Sequence, residues 1–276
     1  MKFDLRPPRD NEWAVCRMLL PETFHNAAAR NYLIGIRDEA PRIVSAAAYR
    51  QTPDAITHLR IHVVPAFRRQ GVGSRIVERL AREGVGSMSG VAEMETAAKT
   101  FCERNGFDLK ESLTTVEAEM AEMKEFTGRL RARLQLPPGA RVIPLEQAPV
   151  DQVASLHAQH VAQEGELNQW RGLLAQSPEM NISPVAMLDG QVAGILLGKV
   201  EGDTAVVETR VVAPGRYGSW VNATLLAEAL AIGWAHGARR ARFSYTDSNH
   251  DTQKLARRLG AKITSVVARF VREPRL

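Results

Sequence analysis

The order of short apolar segments in this chain repeats after about 150 residues, which favours a fold built from two similar halves. Pro65 and Pro214 each follow the third strand expected in their half, and they lie 149 residues apart. Gly106 and Gly260 each end a later helix and lie 154 residues apart. Because the correspondences keep the same order, the sequence predicts a duplication whose halves have diverged in identity.

A charged segment of helical character separates the halves. Between Glu119 and Ala140 apolar residues recur at helical spacing among glutamates, lysine and arginines. Pro137 and Pro138 then end the helix, because proline cannot continue one. The predicted organisation is an N-terminal domain at 1–118, a connecting helix and linker at 119–140, and a C-terminal domain at 141–276.

The segment Leu59–Ser74 of the first half is an apolar strand, a basic turn with two glycines, and the start of a helix. Gly71 and Gly73 allow backbone angles and close approaches that let consecutive N–H groups converge on one anion. The helix that follows adds the positive end of its dipole, and Arg68 and Arg69 add charge. A Walker lysine and a G-x-G-x-x-G spacing are both missing, which disfavours P-loop and Rossmann proteins. The segment therefore predicts a site for a diphosphate.

Composition bounds the partners and the setting. The formal charge is +5, but the arginines are scattered, which favours a generally arginine-rich composition over an anionic partner. Nucleic acid is not required, and a phosphate-rich cofactor would use only a few of these charges. Cys16 and Cys102 lie far apart, which predicts reduced thiols and no zinc site. The first residues lack an apolar signal segment, and no apolar run is long enough to span a bilayer. We therefore expect a cytoplasmic protein without a membrane partner.

Three motifs of the first half resemble, in order and separation, those of the GNAT superfamily of acyl-CoA-dependent N-acetyltransferases. They are Val63-Val64-Pro65, the turn from Arg68 to Gly73, and Phe101-Cys102-Glu103-Arg104-Asn105-Gly106-Phe107. The resemblance implies an α/β (α+β) fold of two tandem GNAT domains, each with a mixed, mostly antiparallel central sheet flanked by helices. It also implies acetyl-CoA, or another acyl-CoA, as co-substrate and no metal.

The resemblance further assigns the cofactor-binding residues. In this family the backbone of the strand binds the pantetheine arm, and the turn holds the diphosphate. Carried over to this chain, the first role falls to Val63 and Val64. The second falls to Arg68, Arg69, Gln70, Gly71, Val72, Gly73 and Ser74.

The second half keeps the order of the strands and helices but lacks the residues of the diphosphate site. Counted from Pro214, the position of Gly71 is taken by Trp220, whose indole would obstruct a diphosphate. Its helix motif is retained from Asn249 to Ala261, with Ala256 where the family has tyrosine. We therefore expect a GNAT-like domain without a cofactor, in which Trp220 fills the core.

Catalysis in the family is a direct attack of the acceptor amine on the thioester, within a ternary complex. The amine must lose a proton, the oxyanion needs a donor, and the leaving thiolate needs a proton. The family tyrosine that gives this proton is replaced by Cys102, which is either a weak acid or a small buried apolar residue. The backbone N–H near Val63 is the family-based oxyanion donor.

Three residues are candidates for the base. His58 and His62 alternate with apolar residues along the third strand and share its polar face with Arg60. His62 is closer to the expected thioester and is the first choice, with an ordinary packed or surface histidine as the alternative. Glu95, before the last helix of the half, acts on the substrate amine or caps that helix.

Four residues are candidates for contacts with the acceptor. Glu208 and Arg210 lie on the matching strand of the second half, where they line an acceptor cleft or pair with each other. His25 and Asn26 occupy the loop that usually shapes the acceptor pocket in the family.

The preferred function is acetyl transfer from acetyl-CoA to an amine on a small molecule, a peptide or a protein. One alternative is a catalytically silent acyl-CoA sensor, which would tolerate the loss of the tyrosine. Another is a Fem-type transferase that uses aminoacyl-tRNA, which the basic balance would suit and the intact Arg68–Gly73 turn disfavours.

Overall fold

The computed structural model describes residues 3–20, 31–37, 42–83, 86–94, 96–160, 181–214 and 218–274. Contacts divide the chain into two compact units. Unit 1 contains residues 1–113 and 266–276, and unit 2 contains residues 114–265.

Unit 1 is a sheet with helices on both faces. Its strands are β1 (Phe3–Arg6), β2 (Asn31–Arg37), β3 (Arg42–Gln51), β4 (Ala55–Val63) and β5 (Ser87–Glu93), and its helices are α1 (Trp13–Leu19), α2 (Val72–Arg82) and α3 (Thr96–Arg104). The strand order is β1-β2-β3-β4-β5, followed by β12 (Lys262–Arg272). The β4–β5 pair is parallel, and the other described pairs of this unit are antiparallel.

The apolar spacing of α2 explains how it packs in unit 1. Val72, Ile76, Val77 and Leu80 fall on one side of the helix and are buried. Ile76, Val77 and Leu80 join Ala47 and Phe270 in a core on one face of the sheet. On the other face, Cys16 and Leu20 pack on Ala46 and Ala48. Strand β3 is buried on both sides from Val44 to Tyr49, which accounts for a run that is apolar except for Ser45.

Unit 2 has the same plan. Its elements are β6 (Asp108–Glu119), α4 (Met120–Arg133), β7 (Ala140–Pro144), α5 (Val150–His160), β8 (Pro184–Leu188), β9 (Gln191–Glu201), β10 (Thr204–Val212), α6 (Gly218–Ala235), β11 (Arg240–Thr246) and α7 (His250–Arg258). The strand order is β6-β11-β10-β9-β8-β7. Helix α4 is the predicted connecting helix, and Met120 and Met123 bury it in the core that includes Leu226 and Leu230 of α6.

Each unit is completed by a strand that the predicted boundaries assign to the other half. Residues Val267–Arg272 of β12 pair with Glu93–Met88 of β5 in unit 1. In unit 2, the second part of β6 lies beside β11, where Thr115 and Ser244 share a hydrogen bond of 2.9 Å and Glu117 accepts from Arg242. The boundaries predicted from the repeat, at 118 and 140, therefore follow the sequence motifs. The compact units differ from them, because unit 1 contains most of β12 and unit 2 contains the second part of β6.

Candidate active site

The site begins where β4 and β5 separate. Their parallel pairing ends at Leu59 and Gly90, although β4 continues to Val63 and β5 to Glu93. A side chain on Gly90 would collide with the carbonyl oxygen of Leu59, so glycine allows the two strands to approach at this point. Beyond it the strands border a cavity of about 1030 Å³ that lies within unit 1.

One end of the cavity is the turn that precedes α2. Arg69 and Gly71 both adopt positive φ angles, of 62° and 79°, and the helix starts without a side-chain cap. The N–H of Arg75 makes the bond to the carbonyl of Gly71, so the N–H groups before it have no acceptor within the helix. This end of the cavity therefore presents backbone donors and the positive end of the α2 dipole.

The two glycines of the turn are required for different structural reasons. A Cβ atom on Gly71 would have no heavy atom within 4 Å, so this position needs glycine for its backbone angle. Gly73 is buried, and a Cβ atom there would lie 2.8 Å from Cε2 of Phe101. The predicted close approach at Gly73 is thus explained by packing of α2 against α3.

The open edge of β4 carries backbone groups toward the cavity. The N–H of Val64 donates to the carbonyl of Val44 on β3, at 2.9 Å. Because successive residues of a strand direct their N–H groups to opposite edges, the N–H of Val63 faces away from β3, toward the separated β5. Arg68 Nε donates to the Val63 carbonyl at 3.1 Å, which ties the turn to this edge.

His62 borders the cavity and lies on the α1 face of β4. It pairs with Ala46, which packs in the α1 core. Burial lowers the pKa of His62 below its ordinary 6.5, and the charge of Arg68 lowers it further. The imidazole is therefore held neutral at neutral pH, which is the form that accepts a proton.

Cys102 borders the same cavity, from α3. It is only 8% exposed and belongs to the core that contains Phe107 and Phe270. Burial raises the pKa of its thiol to about 11, and Glu103 adds to the rise. Cys102 is thus a protonated, largely apolar part of the cavity wall.

The structure brings most of the sequence candidates together. The lining includes His62, Val63, Arg68, Arg69, Gly71, Val72, Gly73, Ser74 and Cys102, but not Val64 or Gln70. The Gln70 amide donates to the carbonyl of Ala66 within the turn. His58 is exposed in an irregular part of β4, with φ of 56°, and does not line the cavity either. His25, Asn26 and Glu95 lie outside the described residues.

At the corresponding place in unit 2, a side chain of β10 is bonded to α7. Pairing of β10 with β11 ends at Val207 and Phe243, as in unit 1, but Arg210 donates to Thr252 Oγ1 of α7 at 3.2 Å. Burial lowers the pKa of Arg210, opposed by the charge of Asp251. Glu208 is exposed. Trp220 is buried in the α6 core, as the sequence predicted.

Sequence reasoning missed several residues that line the cavity. Arg60 and Glu93 lie on the separated parts of β4 and β5, Arg104 ends α3, and Phe270 comes from β12. Alternation along β4 placed Arg60 on the face of His62, which was a signal of its location. Among the described lining residues, four are arginines and one is a glutamate, so the cavity is positive.

Among the described residues, no group of three His, Cys, Asp or Glu side chains could hold a metal ion. No helix in the same part of the chain is long and apolar enough to cross a membrane.

Comparisons with known proteins agree with the fold. Residues 29–109 match the family model described as an acetyltransferase (GNAT) domain. A mycothiol acetyltransferase of Clavibacter sepedonicus is 28% identical over 188 residues, which are 65% of this chain and 60% of that protein. The matched stretch thus spans less than two thirds of this curated relative.

Two solved structures resemble the chain along its length. A GCN5-related N-acetyltransferase from Sphaerobacter thermophilus is 15% identical with a TM-score of 0.66, over 99% of this chain and 96% of its own. A tandem GNAT protein from the clavulanic acid biosynthesis pathway is 16% identical with a TM-score of 0.66, over 100% and 99%. At such identities the likeness concerns the fold, and it confirms the predicted α/β architecture, a mostly antiparallel sheet flanked by helices.

Proposed function

We propose that this chain is an acyltransferase that moves an acetyl group from acetyl-CoA to an amine, since its residues 29–109 match the family model described as an acetyltransferase (GNAT) domain. The observation that carries this proposal is the cavity between the separated strands β4 and β5, closed at one end by the basic turn before α2. Such a cavity joins an anion site to an open strand edge, which are the two features that a long, diphosphate-containing thioester requires.

The residues of unit 1 fit acetyl-CoA. The N–H groups at the start of α2, with Arg68 and Arg69, supply donors and charge for the diphosphate. The N–H of Val63 on the open edge of β4 supplies a donor for the pantetheine arm or for the oxyanion of the thioester carbonyl. Acetyl-CoA bound there brings the activated acyl group, and the protein supplies position and proton transfer.

His62 is the proposed base. It borders the cavity one residue before Val63, and its lowered pKa keeps it neutral at neutral pH. A neutral imidazole accepts the proton that the acceptor ammonium must lose before its nitrogen attacks the carbonyl, directly or through one water.

Cys102 is poorly suited to protonate the leaving thiolate. A thiol ordinarily has a pKa of about 8.5, whereas the Cys102 thiol has a pKa of about 11. Proton transfer from Cys102 to the thiolate of CoA would therefore be uphill. We propose that Cys102 forms part of the wall and that the thiolate takes its proton from solvent.

The lack of a suitable acid at Cys102 also supports a second candidate function, an acyl-CoA sensor that does not turn over acetyl-CoA. The family acid is missing at Cys102, whereas the features that bind the diphosphate remain. A sensor would bind CoA as tightly as an enzyme and release none from acetyl-CoA with any amine.

The test measures CoA affinity by calorimetry, and free CoA during incubation of acetyl-CoA with a broad panel of amines. Gly71→Trp places an indole in the open space before α2 and should abolish CoA binding and turnover together. Gly190→Trp is the control, because Gly190 is an exposed glycine between β8 and β9 that also has a φ of 79° and whose Cβ would also meet no heavy atom. Binding without turnover would favour the sensor, and full affinity in Gly71→Trp would refute this cofactor site.

A further inference from the structure

A pair of opposite charges lies in the cavity on the side of His62. Arg60 and His62 belong to one face of β4, since their partners Ala48 and Ala46 both pack in the α1 core. The partner of Ile61, Ala47, packs in the core on the other face, which contains α2. Arg60 and Glu93 both line the cavity, and the charge of Glu93 acts on the guanidinium.

Arg60 is held in a fixed position between the strands. Its Nη1 donates to the carbonyl of Val91 at 2.8 Å, across the gap where β4 and β5 have stopped pairing. The residue is half-buried, and burial lowers the pKa of its guanidinium despite the opposing charge of Glu93. The fold thus fixes a cation beside the cavity, in a place where its hydration is reduced and its attraction to an incoming anion is correspondingly stronger.

We propose that the acceptor is an amine that carries a carboxylate, with Arg60 binding the carboxylate and Glu93 attracting the ammonium. This rests on the proposed function, since it names the class of acceptor for that cavity. A guanidinium presents its N–H donors in a plane that matches a carboxylate, and its orientation is already fixed by Val91. Glu93 would repel a doubly charged phosphate more strongly than a single carboxylate, which favours the carboxylate.

Spacing along β4 limits how far the two groups of the acceptor lie apart. Arg60 is two residues from His62, which is about 7 Å along a strand. An amine delivered to His62 and a carboxylate held by Arg60 must therefore be separated by a few bonds. Amino acids meet this condition, whereas simple polyamines and aryl amines lack the anion.

The test compares the binding of each proteinogenic amino acid and of its methyl amide to the CoA-bound protein, by calorimetry. The amide keeps the amine and the side chain but removes the negative charge. We expect at least one amino acid to bind about 10- to 100-fold more tightly than its amide. Arg60→Met should remove this preference, and Arg60→Lys should keep part of it, since lysine retains the charge without the planar donors.

The ratio of acid to amide separates recognition from a structural role, because a general distortion of the cleft would weaken both ligands alike. Arg269→Met is the matched control and should keep the full ratio, because Arg269 is exposed on β12, opposite Val91, and does not line the cavity. An equal affinity for acids and amides in the unchanged protein, no binding of any amino acid, or a ratio that survives Arg60→Met would overturn the inference. A protein that binds no CoA would instead refute the proposed function.

Discussion

His62 shows how one side chain is tuned by its neighbours. Burial disfavours its charged form, and Arg68, tied to the backbone of Val63, disfavours it again. Both effects act in the same direction, so the pKa of the imidazole lies below 6.5 and its neutral form predominates at neutral pH. That state suits a proton acceptor.

The pKa of His62 is directly measurable. We expect a value below 6.5 in the protein without ligand, and a higher value in Arg68→Gln, because removal of the cation removes its repulsion of the imidazolium. Because burial is the larger cause, the pKa in Arg68→Gln should still not exceed 6.5. The measurement is an NMR titration of the histidine C2 protons, in which His62→Gln identifies one of the seven residues. An unchanged titration curve in Arg68→Gln would contradict this account.

Among single residues, the sequence predicted those of the site that lie on one strand and on the turn after it. It did not predict the residues whose place in the site depends on segments that are distant along the chain. Alternation and the glycine turn placed His62, Val63 and the start of α2 in one site. Arg60 was on the same predicted face but received no role, because local pattern does not show that β5 diverges after Gly90. Phe270 carries no local signal at all, since it reaches the cavity from a strand far along the chain.

The contact between α2 and α3 is the element-scale feature that shapes the cavity wall. Gly73 in the first turn of α2 lies against the ring of Phe101 in α3, which lets the two helices approach closely. The sequence predicted the glycine but attributed it to an anion. A contact between residues 28 positions apart cannot be read from either helix alone.

Gly73→Ala should therefore destabilise the protein. Its methyl group would lie 2.8 Å from the Phe101 ring, and such overpacking costs about 1–3 kcal/mol. Phe101→Leu should recover part of the loss in the double variant, with a coupling of about 1 kcal/mol. Gly128→Ala in α4 is the control, because its Cβ meets no heavy atom and helix propensity should stabilise it by up to about 1 kcal/mol. The measurement is the free energy of unfolding in urea; an equal effect at both glycines would exclude the ring contact.

At the scale of the whole molecule, strands β6 and β12 determine how the chain divides into two compact units. The sequence predicted two repeated halves, and both units have the same plan. It could not predict that β12 completes unit 1, because neither strand composition nor repeat spacing specifies which sheet edge a strand will join. The two halves of the sequence and the two compact units therefore differ.

This difference can be tested with fragments. Residues 1–118, the domain expected from the repeat, should not bind CoA, because β5 would lack its β12 neighbour and the cavity would lack Phe270. A fragment of residues 1–115 joined by Asn-Gly to 264–276 should bind CoA. Thr264 Oγ1 lies 3.2 Å from the carbonyl of Thr115, so a two-residue hairpin turn spans the junction. Calorimetry with CoA is the measurement, and binding by 1–118 alone would refute the requirement for β12.

The position of β12 also has a consequence for synthesis on the ribosome. Residues 114–265 emerge between β5 and the strand that covers its edge, so all of unit 2 is translated while that edge lacks its neighbour. Exposed edges of this kind template association between nascent chains. Unit 1 should thus depend on chaperone protection during translation, and it should complete its fold after unit 2.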